Sequence, residues 1–436
     1  MNDEPAGGSH AFAESLALLR TRRFGTFCLA SLLSNLGTWA QQVAEPWLLL
    51  SLAASSFVIG LDSFAAAAPL WMFALIGGVM ADRADRRRII ATCQSIQALC
   101  PVTLVGLLVT GTVQPWMIIA LSAVVGLTDA LSMPSFQSIV PSIVEHDQIA
   151  PALAVNATQL NLSRVLGPAL AGVLMASVGA IGCFAANAAS YLPFIWVALW
   201  ILPRGRMGRP DDNRLDPSRP FAGIGTIARM PHLRGALLTV LVSSMLCGPL
   251  VVFTPVLVRN VLHGDVSHFS ASMGAFGLGG MLGAIVLLGI DVRRDRRRIS
   301  WRFATAYGLV LVLAAVNPIS WLLPAVLALA GLSMTVSNTA ANSMLQATTL
   351  PELRGETASL YMLAMRGGLS IGSLMTGLSI GVLGVREALA INGIGAVVAQ
   401  IAVGRAWLRS PMPQARSNLA HPQLLRSRSP HRAVRR

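Results

Sequence analysis

The feature that most constrains this chain is a long apolar run near its start. Residues 24–54 read FGTFCLASLLSNLGTWAQQVAEPWLLLSLAA and contain a single acidic residue and no basic residue. About 20 apolar residues are enough for a helix to cross the hydrocarbon core of a bilayer. Because backbone groups in lipid must be hydrogen-bonded within the protein, such a run predicts a membrane-spanning helix.

The composition extends this prediction to the whole chain. Of the 436 residues, 54% are hydrophobic and 12% are charged, whereas soluble domains carry about 25% charged residues. The net charge of +14 is also compatible with nucleic-acid binding, but all 33 basic residues are arginine and nearly all lie between apolar runs. That distribution is the positive-inside bias of membrane proteins. We therefore expect a polytopic helical protein whose partner is the lipid bilayer and not nucleic acid.

Apolar runs and helix-breaking residues divide the chain into twelve predicted helices in two groups of six. The helices cover residues 24–52, 57–81, 89–110, 115–138, 150–176, 180–202, 233–258, 267–290, 299–316, 318–345, 356–383 and 387–409. The fold class predicted is an all-α integral membrane protein of two pseudo-symmetric six-helix bundles. Its divisions are an N-terminal segment 1–23, a bundle 24–202, a linker 203–232, a bundle 233–409 and a basic tail 410–436.

The arginines also predict the orientation of the chain. With a cytoplasmic N-terminus, 29 arginines fall on the cytoplasmic side, and two, Arg259 and Arg386, fall on the other side. Cytoplasmic loops carry the excess of basic residues in membrane proteins. We expect a multi-pass protein of the cell (inner/plasma) membrane with both termini in the cytoplasm.

Internal repeats support the two halves. GLTDALSMPSFQSIV from Gly126 aligns with GLSMTVSNTAANSML from Gly331, and GPALAGVLMASVG from Gly167 aligns with GSLMTGLSIGVLG from Gly372, both at an offset of 205 residues. DRRRI at Asp85 recurs 210 residues later. Two parallel six-helix repeats are the architecture of one large transporter class, with the ligand site near the midplane between the halves.

The loop after the second predicted helix, GGVMADRADRRRII, resembles the signature loop between helices 2 and 3 of the major facilitator superfamily. Over residues 17–409 the chain resembles the branch that contains the enterobactin exporter and macrolide efflux proteins, also in QQVAEPWLLL, MPSFQSIVPSIV, SRVLGPALAGVL and LPELRGETASLY. The resemblance implies a cytoplasmic latch between the bundles. Its residues are Gly78, Asp82, Arg83, Arg86 and Arg87, and the sequence departs from the pattern at Asp85, where the superfamily has glycine.

A second motif lies on the fifth predicted helix. GPALAG, with Gly167, Pro168 and Gly172, resembles the core of the helix-5 motif that is associated with exporters in this superfamily. Its small residues permit close approach of a neighbouring helix, and Pro168 removes a backbone donor and bends the helix. The motif favours export, although close packing without directional meaning is the alternative.

Polar side chains inside membrane helices are energetically costly, so each is a candidate functional residue. On the first predicted helix, several share one face at helical spacing, and a second polar stripe lies on the fifth. An amide-bearing face on an apolar helix predicts a hydrated cavity. The candidate cavity residues are Asn35, Thr38, Trp39, Gln41, Gln42, Asn156, Gln159 and Arg366.

Five charged residues inside the predicted helices carry predictions. Glu45 is the first candidate for proton coupling, because a carboxyl group in a low-dielectric site exchanges protons near neutral pH; contact with water or substrate at the outer mouth is the alternative. Asp129 and Arg164 are expected to form a buried ion pair, either structural or proton-sensitive. Arg366 has no carboxylate partner in its own half, so it either attracts an anionic substrate or extends to the cytoplasmic surface. Asp62 is expected at the membrane interface.

No constellation of enzymatic residues is present, and no cofactor is expected. The histidines lie in predicted loops or tails and the cysteines in apolar runs without a C-x-x-C pair, so we expect no metal site. The absence of lysine excludes a P-loop. The resemblance implies a monomeric proton-coupled antiporter that exports a small amphipathic molecule, such as a siderophore, a macrolide or a drug-like compound, by alternating access. An importer or lipid flippase of the same fold, and a receptor or scaffold that transports nothing, are the alternatives.

Overall fold

The computed structural model is helical throughout its described residues. These are residues 17–83, 85–145, 148–202, 225, 229–290, 294–349 and 353–409, and no strand occurs among them. Residues 1–16, most of the predicted linker and the basic tail 410–436 lie outside the described residues. The domain limits at those points therefore stay predictions.

Twelve helical segments follow one another along the described chain when short breaks are bridged. The first six are α1 Arg22–Ser51, α2 Ser56–Arg83, α3 Arg86–Val109, α4 Pro115–Ile139, α5 Ile149–Ser177 and α6 Ala180–Trp200. The next four are α7 Pro231–Val261, α8 Val266–Gly289, α9 Arg296–Val316 and α10 Leu323–Thr348. The last two are α11, formed by Arg354–Met362, Leu363–Gly367 and Gly368–Leu383, and α12 Val385–Arg409. We call α1–α6 the N-terminal half and α7–α12 the C-terminal half.

The helices have the length and surface of membrane helices. Eight of those described are long and apolar enough to cross a membrane: α3, α4, α6, α7, α8, α9, α10 and α12. Large apolar side chains face outward, such as Trp321 at 76% and Val382 at 86% exposure. Exposed apolar side chains on this scale are expected where lipid replaces water. The all-helical membrane fold is confirmed, and the count of twelve spans stays a prediction.

The repeated DRRRI stretch begins a helix in each half. Asp85 accepts a hydrogen bond from the backbone N–H of Arg87 at 3.1 Å, and Asp295 accepts one from the backbone N–H of Arg297 at 3.0 Å. A carboxylate at the N-cap satisfies an otherwise unpaired donor and interacts favourably with the helix dipole. Asp85, which departs from the superfamily pattern, is thus the residue that caps α3.

The first glycines of the repeated stretches pack in the same way in the two halves. Gly167 of α5 lies against Trp39 of α1, and Gly372 of α11 lies against Met245 of α7. A Cβ atom at either glycine would collide with its neighbour. The fifth helix of each half therefore crosses the first helix of the same half at a close contact made possible by glycine.

The second glycines of the same stretches join the halves to each other. A Cβ atom at Gly172 of α5 would lie 3.0 Å from the carbonyl oxygen of Ser270 on α8, and one at Gly377 of α11 would lie 2.6 Å from that of Ser56 on α2. The pairs α5–α8 and α2–α11 are the main contacts between the described halves. Packing thus reproduces the internal repeat that the sequence predicts.

These joints lie at the end of the molecule opposite the chain termini. Trp47 of α1 stacks on Phe269 of α8 with ring centroids 4.9 Å apart, and Arg259 donates to the carbonyl oxygen of Leu50 at 3.2 Å. The largest apolar core cluster, at this end, includes residues of both halves. Nearer the termini, each half has a core cluster of its own. The halves are therefore joined at one end and separately packed at the other.

Candidate functional site

An ion pair connects the two halves near the middle of their helices. Arg366 of α11 donates from Nη1 to Oδ2 of Asp129 on α4 at 3.3 Å. Their side chains are 43% and 42% exposed, respectively. Because both groups are accessible, the pair borders space between the halves that water or a ligand can enter. We call Asp129 and Arg366 the central pair.

The central pair differs from the pairing expected from the sequence. The sequence predicts that Asp129 pairs with Arg164 of its own half and that Arg366 has no carboxylate partner in its own half. The structure pairs Asp129 with Arg366 across the two halves. The side chain of Arg164 lies outside the described residues, so its partner stays a prediction.

A chain of hydrogen-bonded amide side chains on α3 also contacts Asp129. Gln97 of α3 donates to Oδ1 of Asp129 at 2.8 Å, and Gln94 donates to Gln97 at the same distance. Ser34 of α1 donates in turn to Gln94 at 3.4 Å. Sequence reasoning missed both glutamines. Their signal was available, since two amides at positions i and i+3 on an apolar helix share one face.

Arg366 lies in a locally widened turn of its helix. Residues Leu363–Gly367 form a π-helical turn, and so do residues Ser243–Cys247 of α7, which contact the first segment. Such π turns are frequent at functional sites, and the extra residue changes the direction in which the side chains of the turn point. The π turn thus sets the position of Arg366 relative to Asp129.

The polar face of α1 is largely occupied by contacts within the N-terminal half. Thr38 lies 3.3 Å from the hydroxyl of Tyr191 on α6, and Gln41 accepts from Asn187 of α6 at 2.7 Å. Gln42 is exposed. Of the predicted cavity face, Gln42 is therefore the position that the structure leaves open to a ligand.

The remaining cavity candidates are partly engaged as well. Asn35 donates to the carbonyl oxygen of Ser31 at 2.7 Å, and the buried Gln159 accepts from the Ser31 hydroxyl at 3.4 Å. Trp39 packs on Gly167, and Asn156 is half-buried. The contacts of Ser31 with Gln159 and of Trp39 with Gly167 connect α1 to α5.

Glu45 belongs to a buried carboxyl cluster. It accepts a hydrogen bond from Ser122 of α4 at 2.7 Å, and both residues are buried. Asp62 of α2, expected at the membrane interface, is instead 7% exposed and lies beside Ser122 and Glu45. We call Glu45, Ser122 and Asp62 the carboxyl cluster. The sequence does not reveal this burial, because it does not show that α4 covers Asp62.

The predicted latch is described only in part. The side chains of Asp82 and Arg83, and the surroundings of Gly78, lie outside the described residues. Arg87 donates to the carbonyl oxygen of Leu199 at the end of α6, at 2.7 Å. This contact lies within the N-terminal half, and the latch function stays a prediction, as does the role of Arg86.

The described residues show no cluster of metal-binding side chains. Among the residues that the structure describes, no group of three or more histidine, cysteine or acidic side chains could hold a metal ion. All five cysteines are buried and free. The polar groups that remain can bind protons, water and polar parts of an organic molecule.

Comparison with known sequences assigns the chain to a family. The sequence model of the transmembrane secretion effector family matches residues 13–431. The chain is 24% identical over 378 residues to the staphyloferrin A transporter of Staphylococcus aureus, covering 85% of this chain and 93% of that protein. It is 25% identical over 393 residues to the enterobactin exporter EntS of Salmonella typhi, covering 88% and 92%. It is 22% identical over 382 residues to the macrolide efflux protein A of Streptococcus pyogenes, covering 85% and 92%.

Solved structures share the fold. A mutant of the nucleoside transporter NupG superposes with a TM-score of 0.73 at 12% identity, covering 88% of this chain and all of that one. A bacterial homologue of the human lysosomal transporter Spinster, inward-facing and unoccupied, gives a TM-score of 0.66 at 16% identity and covers 94% of this chain and 100% of that one. The fold, the shared repeat and the family match over most of the chain agree. This chain therefore belongs to the transmembrane secretion effector family of the major facilitator superfamily and is a multi-pass membrane transporter of small molecules.

Proposed function

We propose that this transporter is a proton-coupled antiporter that exports a small amphipathic organic molecule by alternating access. The observation that carries the proposal is the central pair of Asp129 and Arg366, which connects the halves at 3.3 Å and is more than two-fifths exposed on each side. In transporters of two parallel repeats, the substrate site lies near the midplane between the halves. Asp129 and Arg366 lie near the middle of α4 and α11 and contact each other across the halves, which supports their assignment to such a site.

The packing supports alternating access. The halves share an apolar core at the end opposite the termini and have separate cores at the other end. Such a molecule opens towards the terminal end while its opposite end is closed. With the termini in the cytoplasm, this is an inward-facing state, as in the Spinster homologue. Rocking of the halves about the central pair would expose the same site to the other side.

The class of substrate follows from the relatives and from the chemistry of the central pair. Relatives over most of the chain carry names that specify staphyloferrin A, enterobactin and macrolides. An arginine and a carboxylate, backed by Gln97, bind molecules with both charged and hydrogen-bonding groups. Trp39 and the exposed Gln42 of α1 supply further aromatic and amide groups on the predicted cavity face. An amphipathic molecule with an anionic or a cationic group fits this site.

The test measures cellular accumulation of a fluorescent macrolide and of a catecholate siderophore, with and without a protonophore. Cells expressing the wild type are expected to accumulate less of one probe, and the protonophore is expected to abolish the difference. The export rate of Arg366→Gln is expected to be at least about tenfold lower than that of the wild type, which corresponds to about 1.4 kcal/mol. Arg302→Gln, an exposed arginine on α9, is the matched control and should export normally.

Each part of the proposal has its own contrary result. Normal export by Arg366→Gln would contradict the assignment of the central pair to the substrate site. Export that is insensitive to the protonophore would contradict proton coupling. If cells expressing the protein accumulate more of a probe than control cells, the protein imports that probe. If inverted vesicles with an imposed pH gradient accumulate every probe equally with and without the protein, a role other than transport of these compounds is favoured.

A further inference from the structure

The carboxyl cluster has a geometry that the proposed substrate site does not use. Glu45 of α1 is 9% exposed and accepts from Ser122 of α4 at 2.7 Å, and Ser122 itself is 8% exposed. Asp62 of α2 is 7% exposed, and its Oδ1 is buried without a hydrogen-bond partner among the described residues. Three helices thus bring two buried carboxyl groups to one hydroxyl.

The register of α2 and α4 explains why Asp62 meets Ser122. Both helices start at the end opposite the termini, so they run parallel. Gly126 of α4 lies directly against the carbonyl of Ala66 on α2. Ser122 and Asp62 each precede those residues by four positions, about one helical turn. The close glycine contact therefore places the hydroxyl beside the carboxyl group one turn nearer the closed end.

Two buried carboxylates cannot both remain charged at this site. Within the described residues, neither Glu45 nor Asp62 has an arginine or histidine as an ion-pair partner. Like charges in a low-dielectric environment repel strongly, and an uncompensated buried charge is costly. A proton on one carboxyl group removes the repulsion and supplies the donor that the unpartnered oxygen lacks.

Other titratable groups on the neighbouring helices do not neutralise the cluster. The thiol of Cys100 on α3 interacts with Glu45, and the hydroxyl of Tyr191 on α6 interacts with Asp129 lower on α4. Cys183 of α6 and Cys247 of α7 are buried thiols. Arg366 of α11 is paired with Asp129, and the side chain of Arg164 on α5 lies outside the described residues.

The cluster lies next to the joint between the halves. Gly60, two residues before Asp62, packs against Ser373 of α11, where a Cβ atom would lie 2.5 Å from the carbonyl oxygen. Trp47, two residues after Glu45, stacks on Phe269 of α8. A change in the charge of the cluster therefore acts on α1 and α2, each of which contacts the C-terminal half within two residues of the cluster.

We propose that Glu45 and Asp62 form one shared proton-binding site, bridged by Ser122, and that its protonation state controls the adjacent α1–α8 and α2–α11 contacts. This inference rests on the proposed proton-coupled function and extends it, since it separates the proton site from the central pair. The two carboxyl groups lie beside one hydroxyl, and neither has a cationic ion-pair partner among the described residues, so a single shared proton satisfies the arrangement. A proton is the ion that fits.

The experiment records infrared difference spectra of the full-length protein in lipid nanodiscs as pH is changed. The wild type is expected to show the carbonyl stretch of a buried carboxylic acid that disappears as pH rises. The double variant Glu45→Gln with Asp62→Asn should lose this band. Glu387→Gln, which changes an exposed carboxyl group on α12, should keep it.

A third variant tests the bridge while it keeps both carboxyl groups. Ser122→Ala removes the hydroxyl that donates to Glu45, so the titration midpoint should move to higher pH by about one unit, a tenfold change in proton affinity. The monodispersity and melting temperature of each variant establish that it is folded. Because this variant retains both acids, it stays informative if the double variant does not fold.

The possible outcomes separate this site from the proposed function. Persistence of the band in the folded double variant, or its absence from the wild type, overturns the shared proton site whether or not transport is proton-driven. Loss of the band on addition of sodium at constant pH also overturns it, because the pair would then take a metal cation. If the band behaves as expected but export is insensitive to protonophores, the shared proton site is supported and the proposed proton coupling is contradicted.

Discussion

At the scale of single residues, the decisive contacts join positions far apart in the chain. Asp129 and Arg366 are 237 residues apart, and Glu45 and Ser122 are 77 apart. The sequence makes Asp129, Arg366 and Glu45 functional candidates, because a charge inside a membrane helix is costly. It does not predict their partners, because pairing depends on how the two halves and their helices meet. For the same reason Asp62 appears interfacial in the sequence and is buried in the fold.

The exposure of the central pair predicts that its loss affects stability little. Both side chains are more than two-fifths exposed, and exposed ion pairs contribute about 0.2–1 kcal/mol. In a double-mutant cycle with Asp129→Asn and Arg366→Gln, we expect a coupling free energy of unfolding below about 1 kcal/mol. Urea denaturation in detergent measures this value. Coupling of several kcal/mol would instead make the pair a structural element and weaken its assignment to the substrate site.

At the scale of helices, the sequence is most informative about where each element begins. The predicted and observed ends of the helices agree within five residues, because proline, glycine and charged residues interrupt the apolar runs. The DRRRI repeat predicts a recurring basic cluster. Its second role, capping α3 and α9 through Asp85 and Asp295, is the reason that an aspartate can replace the glycine of the superfamily pattern.

The cap of α3 can be separated from the charge of its residue. Asp85→Ala removes the acceptor for the Arg87 N–H and is expected to lower the free energy of unfolding by about 1 kcal/mol. Asp85→Asn keeps an N-cap acceptor and should lower it by much less. Thermal unfolding of the purified variants distinguishes the two. Equal destabilisation by both would assign the role of Asp85 to its charge, through its pairing with Arg87.

At the scale of the whole molecule, glycine contacts hold the two halves together. The sequence repeat predicts that Gly172 and Gly377 are equivalent, and the fold places each against the main chain of the opposite half. Which half each glycine contacts could not be predicted, because small residues favour close approach without selecting the partner helix. The predicted orientation of the termini likewise stays a prediction.

Adding a methyl group at one joint should open the closed end. Gly377→Ala places a Cβ atom 2.6 Å from the carbonyl oxygen of Ser56, whereas Gly381→Ala on the same helix meets nothing within 4 Å. A cysteine introduced by Leu374→Cys should react several-fold faster with a membrane-impermeant maleimide in the Gly377→Ala background. The native thiols are all buried and contribute little reaction. Equal rates in the Gly377→Ala and Gly381→Ala backgrounds would mean that this contact does not hold the end closed.

The distribution of acids between the two equivalent halves has a consequence for how they respond to pH. Among the described residues of the N-terminal half, Glu45, Asp62 and Asp129 lie well inside the helices. In the described C-terminal half, the acids lie at helix starts: Asp265, Asp295, Glu356 and Glu387. The two halves thus differ in where their acids lie, and under the proposed proton site a proton binds within the N-terminal half and affects the C-terminal half through the α1–α8 and α2–α11 contacts.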